Sequence, residues 1–98
     1  MPLQYLVTFS IPQPVNDTFT ALIPQQRYRV DELMQSGKIM TYSLTKDMSS
    51  LYVVFQVSEI EQLDRLIESL PLSKYMKWNF QELLFHLSTV DLPAISLN

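Results

Sequence analysis

Four segments of the chain have patterns typical of β-strands: three alternate apolar and polar residues over all or part of their length, and one is apolar on both faces. The four segments are residues 3–11, 38–46, 51–57 and 75–86. The third segment, LYVVFQV, is apolar on both faces, which predicts a central strand that is covered on both sides. The sequence KDMSS joins the second and third segments and is long enough for a hairpin turn.

A helical segment lies between the first two strands, because its apolar residues recur every three or four positions. Asn16 or Asp17 can cap its start, and Gly37 is placed to end it. Pro24 interrupts the segment, since proline removes one backbone donor and disfavours helix at the residue before it. We therefore expect either a kink or, preferentially, a short turn followed by a main helix that begins near Pro24.

A second helical segment begins at Ser58 and Glu61, which have the spacing of a capping box, and ends at Pro71. The elements then follow the order β-α-β-β-α-β, without an internal repeat or a linker. This order predicts an α+β, ferredoxin-like fold with a four-stranded antiparallel sheet and two helices on one face. The other face should carry the second apolar set of the strands, including Val54, and a second copy that covered it would complete a dimeric α/β barrel.

Length and composition restrict the classes of partner. The 98 residues fit one domain, with a core in residues 1–86 and an apolar tail in residues 87–98 that we expect to pack on the core or on a partner. The net charge of −3 and the scattered basic residues argue against binding to nucleic acid. No apolar run approaches the ~20 residues that span a bilayer, and the first residues lack a basic leader, so we expect a cytoplasmic protein without a membrane partner.

The residue types that are missing also exclude several kinds of site. Without cysteine, disulfides and thiolate metal sites cannot form, and a single histidine argues against a zinc or copper site within one chain. Gly37 is the only glycine, so neither a dinucleotide-binding loop nor a P-loop can be present. We therefore expect neither a metal nor a cofactor.

The segment LPLSKYM, residues 70–76, resembles the L-P-L-x-x-Y-M segment of the muconolactone delta-isomerase family. The similarity extends to the SGK before the second strand, to Y-x-V-F-x-V in residues 52–57 and to the L-F-H of residues 84–86, and covers roughly residues 3–90. The resemblance implies a homodimeric barrel, dimers that assemble into a larger ring in the isomerase, and a pocket between helix and sheet that a neighbouring subunit completes. It also implies a cofactor-free reaction that moves a double bond in an unsaturated lactone, through proton removal by a base and proton return by an acid.

The resemblance places a Lys and a Glu, three residues apart, on the first helix as charged pocket residues. This chain has Ile23 and Gln26 at those positions, so neither charge is present. Two hypotheses therefore stay open: a cofactor-free isomerase or lyase acting on a small oxo-acid or lactone, and a non-catalytic ligand-binding or structural oligomer of the same fold. A third alternative, a cofactor-free monooxygenase on the related dimeric barrel, rests on the fold alone, which does not determine function. A haem bound by His86 is a more distant alternative.

Six residues are the candidates for such a site. His86 and Tyr75 are the candidate catalytic residues, because imidazole exchanges protons near neutral pH and Tyr75 follows the loop at Pro71. The candidate substrate-binding residues are Gln26, Arg27, Tyr42 and Trp78.

Each candidate also has a purely structural interpretation. Gln26 could be a buried amide bonded to backbone, and Arg27 could form a surface pair with Asp31 one helical turn away. Tyr42, Tyr75 and Trp78 could be packing residues of their strands or loop, and His86 could lie at a strand end or in a subunit seam.

Overall fold

The computed structural model describes residues 2–89, which fold in the predicted order of elements. Their elements are the strands β1 (Leu3–Ser10), β2 (Ile39–Leu44), β3 (Ser50–Val57) and β4 (Lys77–Leu83), the helices α1 (Asp17–Ala21), α2 (Ile23–Gln35) and α3 (Ile60–Glu68), and a 3-10 helix (Ser73–Tyr75). The predicted α+β, ferredoxin-like fold class is confirmed.

The four strands form one antiparallel sheet in the order β2-β3-β1-β4. Leu3 lies opposite Val57 and Ser10 lies opposite Ser50, so the two central strands pair along their whole length. Because side chains alternate across a strand, the odd-numbered residues of β1 face the helices and the even-numbered ones face the opposite side, which we call the open face.

The hydrophobic core lies between the sheet and the helices. Its most deeply buried side chains are Val7, Phe9, Val53, Phe55, Leu63, Ile67 and Leu70. Burying an aliphatic or aromatic side chain of this kind stabilises the fold by about 1.5–3 kcal/mol. Gln26, which is 2% exposed, is the one polar side chain that is buried to this degree among residues 2–89. A lone amide in such a place requires hydrogen-bond partners.

The first helical segment is divided as predicted. Asn16 caps α1, since its Oδ1 accepts a hydrogen bond of 2.8 Å from the N–H of Phe19. The helix ends at Ala21, and α2 starts at Ile23 with Pro24 in its first turn. Proline is tolerated there because the N–H that it lacks would have no partner within the helix.

Gly37 ends α2 in a Schellman motif, which confirms the prediction made for this residue. The N–H of Lys38 donates to the carbonyl of Leu33 at 2.8 Å, and the N–H of Gly37 donates to the carbonyl of Met34 at 3.1 Å. The motif requires a left-handed backbone, and Gly37 has φ of +77°.

The hairpin turn between β2 and β3 is held by one carboxylate. Asp47 accepts hydrogen bonds from the Ser49 hydroxyl at 2.7 Å, the Thr45 hydroxyl at 2.8 Å and the Ser49 N–H at 3.0 Å. These bonds, those from Ser49 foremost, lower the pKa of Asp47 to about 2. Met48 follows in the hairpin turn with φ of 62°, in the left-handed region.

The predicted capping box at Ser58 and Glu61 is wrong. The N-cap residue of α3 is Glu59, one position later, so the third residue of the helix is Gln62. Gln62 Oε1 accepts from the N–H of Ser58 at 2.9 Å and from its hydroxyl at 3.2 Å. A glutamine therefore reaches back to the preceding turn in place of the expected glutamate.

The last strand is shorter than predicted at both ends. Tyr75 belongs to the 3-10 helix, and His86 lies three residues beyond Leu83, the last residue of β4. The register explains why β4 ends at Leu83. Leu83 pairs with Gln4, and β1 begins only one residue before Gln4. A strand that continued to His86 would have no neighbour to pair with.

The open face is less apolar than expected. Val54 lies on it and is buried, as is consistent with a strand covered on both sides. Its neighbours on the same face include Leu6, Tyr52 and Leu83 but also polar residues, which are Gln4, Thr8, Asn79 and Gln81. Most of the predicted tail, residues 90–98, lies outside the described residues.

Candidate functional site

A cavity of about 410 Å³ opens between α2, the edge strand β2 and the segment that precedes β4. This volume is near the lower end of the roughly 300–1,000 Å³ that is typical of small-molecule sites. The residues that line the cavity are Ile11, Phe19, Ile23, Gln26, Arg27, Val30, Asp31, Met34, Tyr42, Leu44, Met48, Leu51, Leu72 and Met76. Ten of these fourteen are apolar, so the polar groups are concentrated at a few positions.

Gln26 connects three elements at one wall of the cavity. Its Oε1 accepts a hydrogen bond of 3.0 Å from the N–H of Leu72, which lies just before the 3-10 helix. Its Nε2 donates to the hydroxyl of Tyr42 on β2 at 3.1 Å. The amide therefore satisfies a buried backbone donor and at the same time positions a hydroxyl group on the cavity wall.

Tyr42 is half-buried at the end of this chain of hydrogen bonds. Burial raises the pKa of its phenol, while the hydrogen bond from Gln26 and the positive charge of Arg27 act in the opposite direction. The net pKa is above the ordinary value of 10.0, so Tyr42 is a neutral hydroxyl at physiological pH. A neutral phenol can donate a hydrogen bond or a proton to a ligand.

Arg27 and Asp31 bring opposite charges to the rim of the cavity. Both are exposed and stand four residues apart on α2. The surface pair predicted for them does not form, because the ion pairs found among residues 2–89 join Arg29 to Glu32 and Arg65 to Glu59. The guanidinium and the carboxylate at the rim are thus both available to a ligand.

The rest of the wall is apolar and contains three methionines, Met34, Met48 and Met76. Met48 comes from the hairpin turn between β2 and β3, and Met76 comes from the LPLSKYM segment. Methionine side chains are flexible and polarizable, so this wall can adapt to ligands of different shape.

The structure brings together three of the six predicted site residues. Gln26, Arg27 and Tyr42 all line the cavity. Trp78 does not; it faces the helix side of the sheet, where its ring lies 6.5 Å from that of Phe9 and packs against the core.

The two predicted catalytic residues also lie outside the cavity wall of this chain. Tyr75 is half-buried in the 3-10 helix, with the Lys74 ammonium 5.3 Å from the centre of its ring. His86 is half-buried beyond β4, and its buried Nε2 has no hydrogen-bond partner among the described residues. Their predicted role in proton transfer therefore stays a prediction.

Several residues of the cavity were not among the predicted site residues, including Asp31, Leu72 and Met76. Asp31 was assigned to a surface pair, and Leu72 and Met76 were noted only as parts of the LPLSKYM segment. The position of Asp31 one turn after Arg27 was the available signal, because residues four apart share one face of a helix.

Among residues 2–89, no three His, Cys, Asp or Glu side chains are placed to hold a metal ion together. None of the helices in the same part of the chain is long and apolar enough to cross a membrane. The polar groups that line the described cavity are one amide, one phenol, one guanidinium and one carboxylate.

Comparison with known proteins gives the family. A family model described as muconolactone delta-isomerase matches residues 3–89, almost the whole chain. The chain belongs to the muconolactone delta-isomerase family. The predicted family is thereby confirmed, and the match includes both Gln26 and the LPLSKYM segment.

A solved structure supports the same fold. The crystal structure of muconolactone isomerase at 3.3 Å resolution matches with a TM-score of 0.72 and 22% sequence identity, over 92% of this chain and 97% of that chain. At this level of identity the match shows a shared fold. No curated protein matches the chain.

The resemblance implies charges at two positions of the first helix, where this chain has Ile23 and Gln26. Both side chains line the cavity, so their chemistry is part of the wall itself. The wall there has an apolar side chain and an amide whose oxygen is already bonded to Leu72.

Proposed function

We propose that this protein binds a small oxo-acid or lactone in the cavity beneath α2 and acts on it as a cofactor-free isomerase. The observation that carries the proposal is the juxtaposition of Tyr42, Arg27 and Asp31 on an otherwise apolar wall. Apolar surface would hold the carbon skeleton, while the guanidinium of Arg27 would bind a carboxylate.

Moving a double bond requires a base and an acid beside the same ligand. Among the described residues that line the cavity, Asp31 is the one carboxylate and Tyr42 is the one hydroxyl. We assign proton removal to Asp31 and proton return to Tyr42. Solvent at the exposed rim would then take the proton from Asp31 and reprotonate the Tyr42 phenolate, so that each turnover leaves the site unchanged. The earlier candidates, His86 and Tyr75, would have to reach this cavity, or the cavity of another subunit, through assembly.

A second candidate function is binding without catalysis. It is favoured by the chemistry at Ile23 and Gln26, since neither side chain can exchange a proton at neutral pH. Asp31 is also exposed at the rim, where water competes with a ligand for its carboxylate. A binding protein would keep the apolar wall and the polar groups and would need no base.

We also propose that the protein is a homodimer in which a second copy covers the open face, and that dimers form a larger ring. Leu6, Tyr52 and Leu83 support this, because they leave apolar surface on that face. Light scattering should show a dimer or a multiple of it, and Leu6→Lys should dissociate it while Lys46→Leu, in the hairpin turn, should not.

A UV-monitored assay with muconolactone tests the function. We expect turnover by the unmodified protein, a loss of at least about a hundredfold in Asp31→Asn, and little change in Glu32→Gln, which alters the adjacent exposed acid. His86→Ala tests the earlier candidate in the same assay. Saturable binding without turnover would favour the non-catalytic function, and absence of both would overturn the proposal.

A further inference from the structure

The orientation of the Gln26 amide is fixed by one backbone group. The N–H of Leu72 can only donate, so the atom that faces it must be the amide oxygen, at 3.0 Å. The amide nitrogen consequently faces Tyr42, at 3.1 Å, and it can only donate. The Tyr42 hydroxyl must therefore accept this bond.

This leaves the hydrogen of the Tyr42 hydroxyl pointing elsewhere. A phenol has one hydrogen, and a hydroxyl that accepts from Gln26 does not direct that hydrogen at the same amide nitrogen. Tyr42 is half-buried and lines the cavity. The free donor is thus presented to whatever occupies the cavity.

We infer that Gln26 is a positioning residue that makes Tyr42 an obligate hydrogen-bond donor, so that the cavity selects ligands with an acceptor oxygen, a ketone, lactone or carboxylate. The inference rests on the proposed function, because it assumes that a small molecule occupies the cavity. It adds to that function that a ligand must offer a hydrogen-bond acceptor to the Tyr42 hydroxyl. A ligand with only donors would find no partner at Tyr42.

Arg27 extends the same preference to anions. Its guanidinium lines the cavity, and its charge acts on the Tyr42 hydroxyl. A carboxylate has two acceptor oxygens and can therefore bond to a hydroxyl and a guanidinium together. Asp31 nearby has the opposite charge and disfavours anions placed close to it, which restricts a carboxylate to the end of the cavity at Arg27.

Gln26→Glu is the sharpest test, because it keeps the shape of the side chain and inverts one hydrogen bond. The ionised carboxylate of this variant can accept from both Leu72 and Tyr42 but can donate to neither. The Tyr42 hydrogen would then turn to the introduced carboxylate, and the lone pairs of the hydroxyl would face the cavity. Gln25→Glu is the matched control, since it adds the same charge at the adjacent exposed position.

The probes are cyclohexanone, a neutral acceptor, and hexanoate, an anionic acceptor, titrated into the full chain by NMR. We expect Gln26→Glu to weaken binding of both by about tenfold or more, whereas added charge alone would weaken only hexanoate. Lowering the pH until the introduced carboxyl is protonated should restore cyclohexanone binding, because a carboxylic acid can donate to Tyr42 again. Gln25→Glu should leave cyclohexanone binding unchanged.

Tyr42→Phe is a second and independent test, with Tyr28→Phe on the exposed side of α2 as its control. We expect Tyr42→Phe alone to weaken both probes by about tenfold. If the unmodified protein binds both probes and neither Tyr42→Phe nor Gln26→Glu changes cyclohexanone binding, the inference is overturned while the proposed function stands. If the unmodified protein binds neither probe, the proposed function fails and this inference with it.

Discussion

Replacing Gln26 with leucine should destabilise the fold, although it puts an apolar residue of similar size into an apolar environment. The reason is the N–H of Leu72, which would lose its acceptor at a position where Leu72 is only 5% exposed. An unpaired buried donor costs about 1–3 kcal/mol.

The other two contributions are smaller. Tyr42 would lose the bond from Nε2, but its half-buried hydroxyl can bond to water, so this loss lies near the lower end of about 0.5–1.5 kcal/mol. Burying a leucine side chain in place of an amide offsets part of the total. We expect the free energy of unfolding to fall by about 2 kcal/mol.

Urea denaturation at one protein concentration measures this change, and the midpoint should shift without a change in the slope. The melting temperature should fall by roughly 8–16 °C, since about 1 kcal/mol corresponds to ~4–8 °C in a domain of this size. Gln25→Leu, at the exposed neighbouring position, should stay within about 0.5 kcal/mol of the unmodified protein. If Gln26→Leu proved as stable as Gln25→Leu, the bridge between α2, β2 and Leu72 would carry no net stability and the reasoning would be refuted.

Three further predictions concern single groups. Gly37→Ala should lower the free energy of unfolding, measured by urea denaturation, by about 1–2 kcal/mol. The loss comes from backbone strain alone, because nothing lies within 4 Å of the added Cβ. Gly37→Asn should lower it less. The pKa of Asp47 is lowered to about 2, so its contribution to stability should persist down to about pH 4 and disappear as the pH falls toward 2. In Asp47→Asn this loss of stability at low pH should be absent. NMR titration of the carboxyl group measures the pKa itself. Burial, and then the charge and hydrogen bond of Glu82, raise the pKa of Tyr5 above 10.0. The free energy of unfolding should therefore fall as the pH rises through 10 and beyond. Denaturation midpoints at pH 9 and 11 should show a smaller fall in Tyr5→Phe.

Local patterns in the sequence were sufficient for most of the fold. Gly37 and Pro24 act through their own backbone geometry, so their effects on α2 could be predicted without tertiary information. The start of α3 could not, because the helix begins after Glu59, which makes no side-chain cap bond, and not after Ser58, which has the preferred N-cap side chain. This shift of one residue decides that Gln62, and not Glu61, reaches back.

The candidate site was half predictable, for a related reason. Gln26 was noticeable as a polar residue on an apolar helical stripe, and its neighbour Arg27 shares that helix. The partners of Gln26 are 16 and 46 residues away along the chain, so neither could be identified from spacing. His86 was placed on a strand by its apolar neighbours, but the length of β1 determines where pairing ends.

The three thioethers around the cavity have a consequence for the protein under oxidative conditions. Met34 and Met48 are 43% and 42% exposed, so peroxide can reach both sulfur atoms from solvent. Conversion to the sulfoxide would add a strong dipole to the wall that holds the carbon skeleton of a ligand. Peroxide should therefore weaken ligand capture before it unfolds the chain, and methionine sulfoxide reductases should reverse the damage.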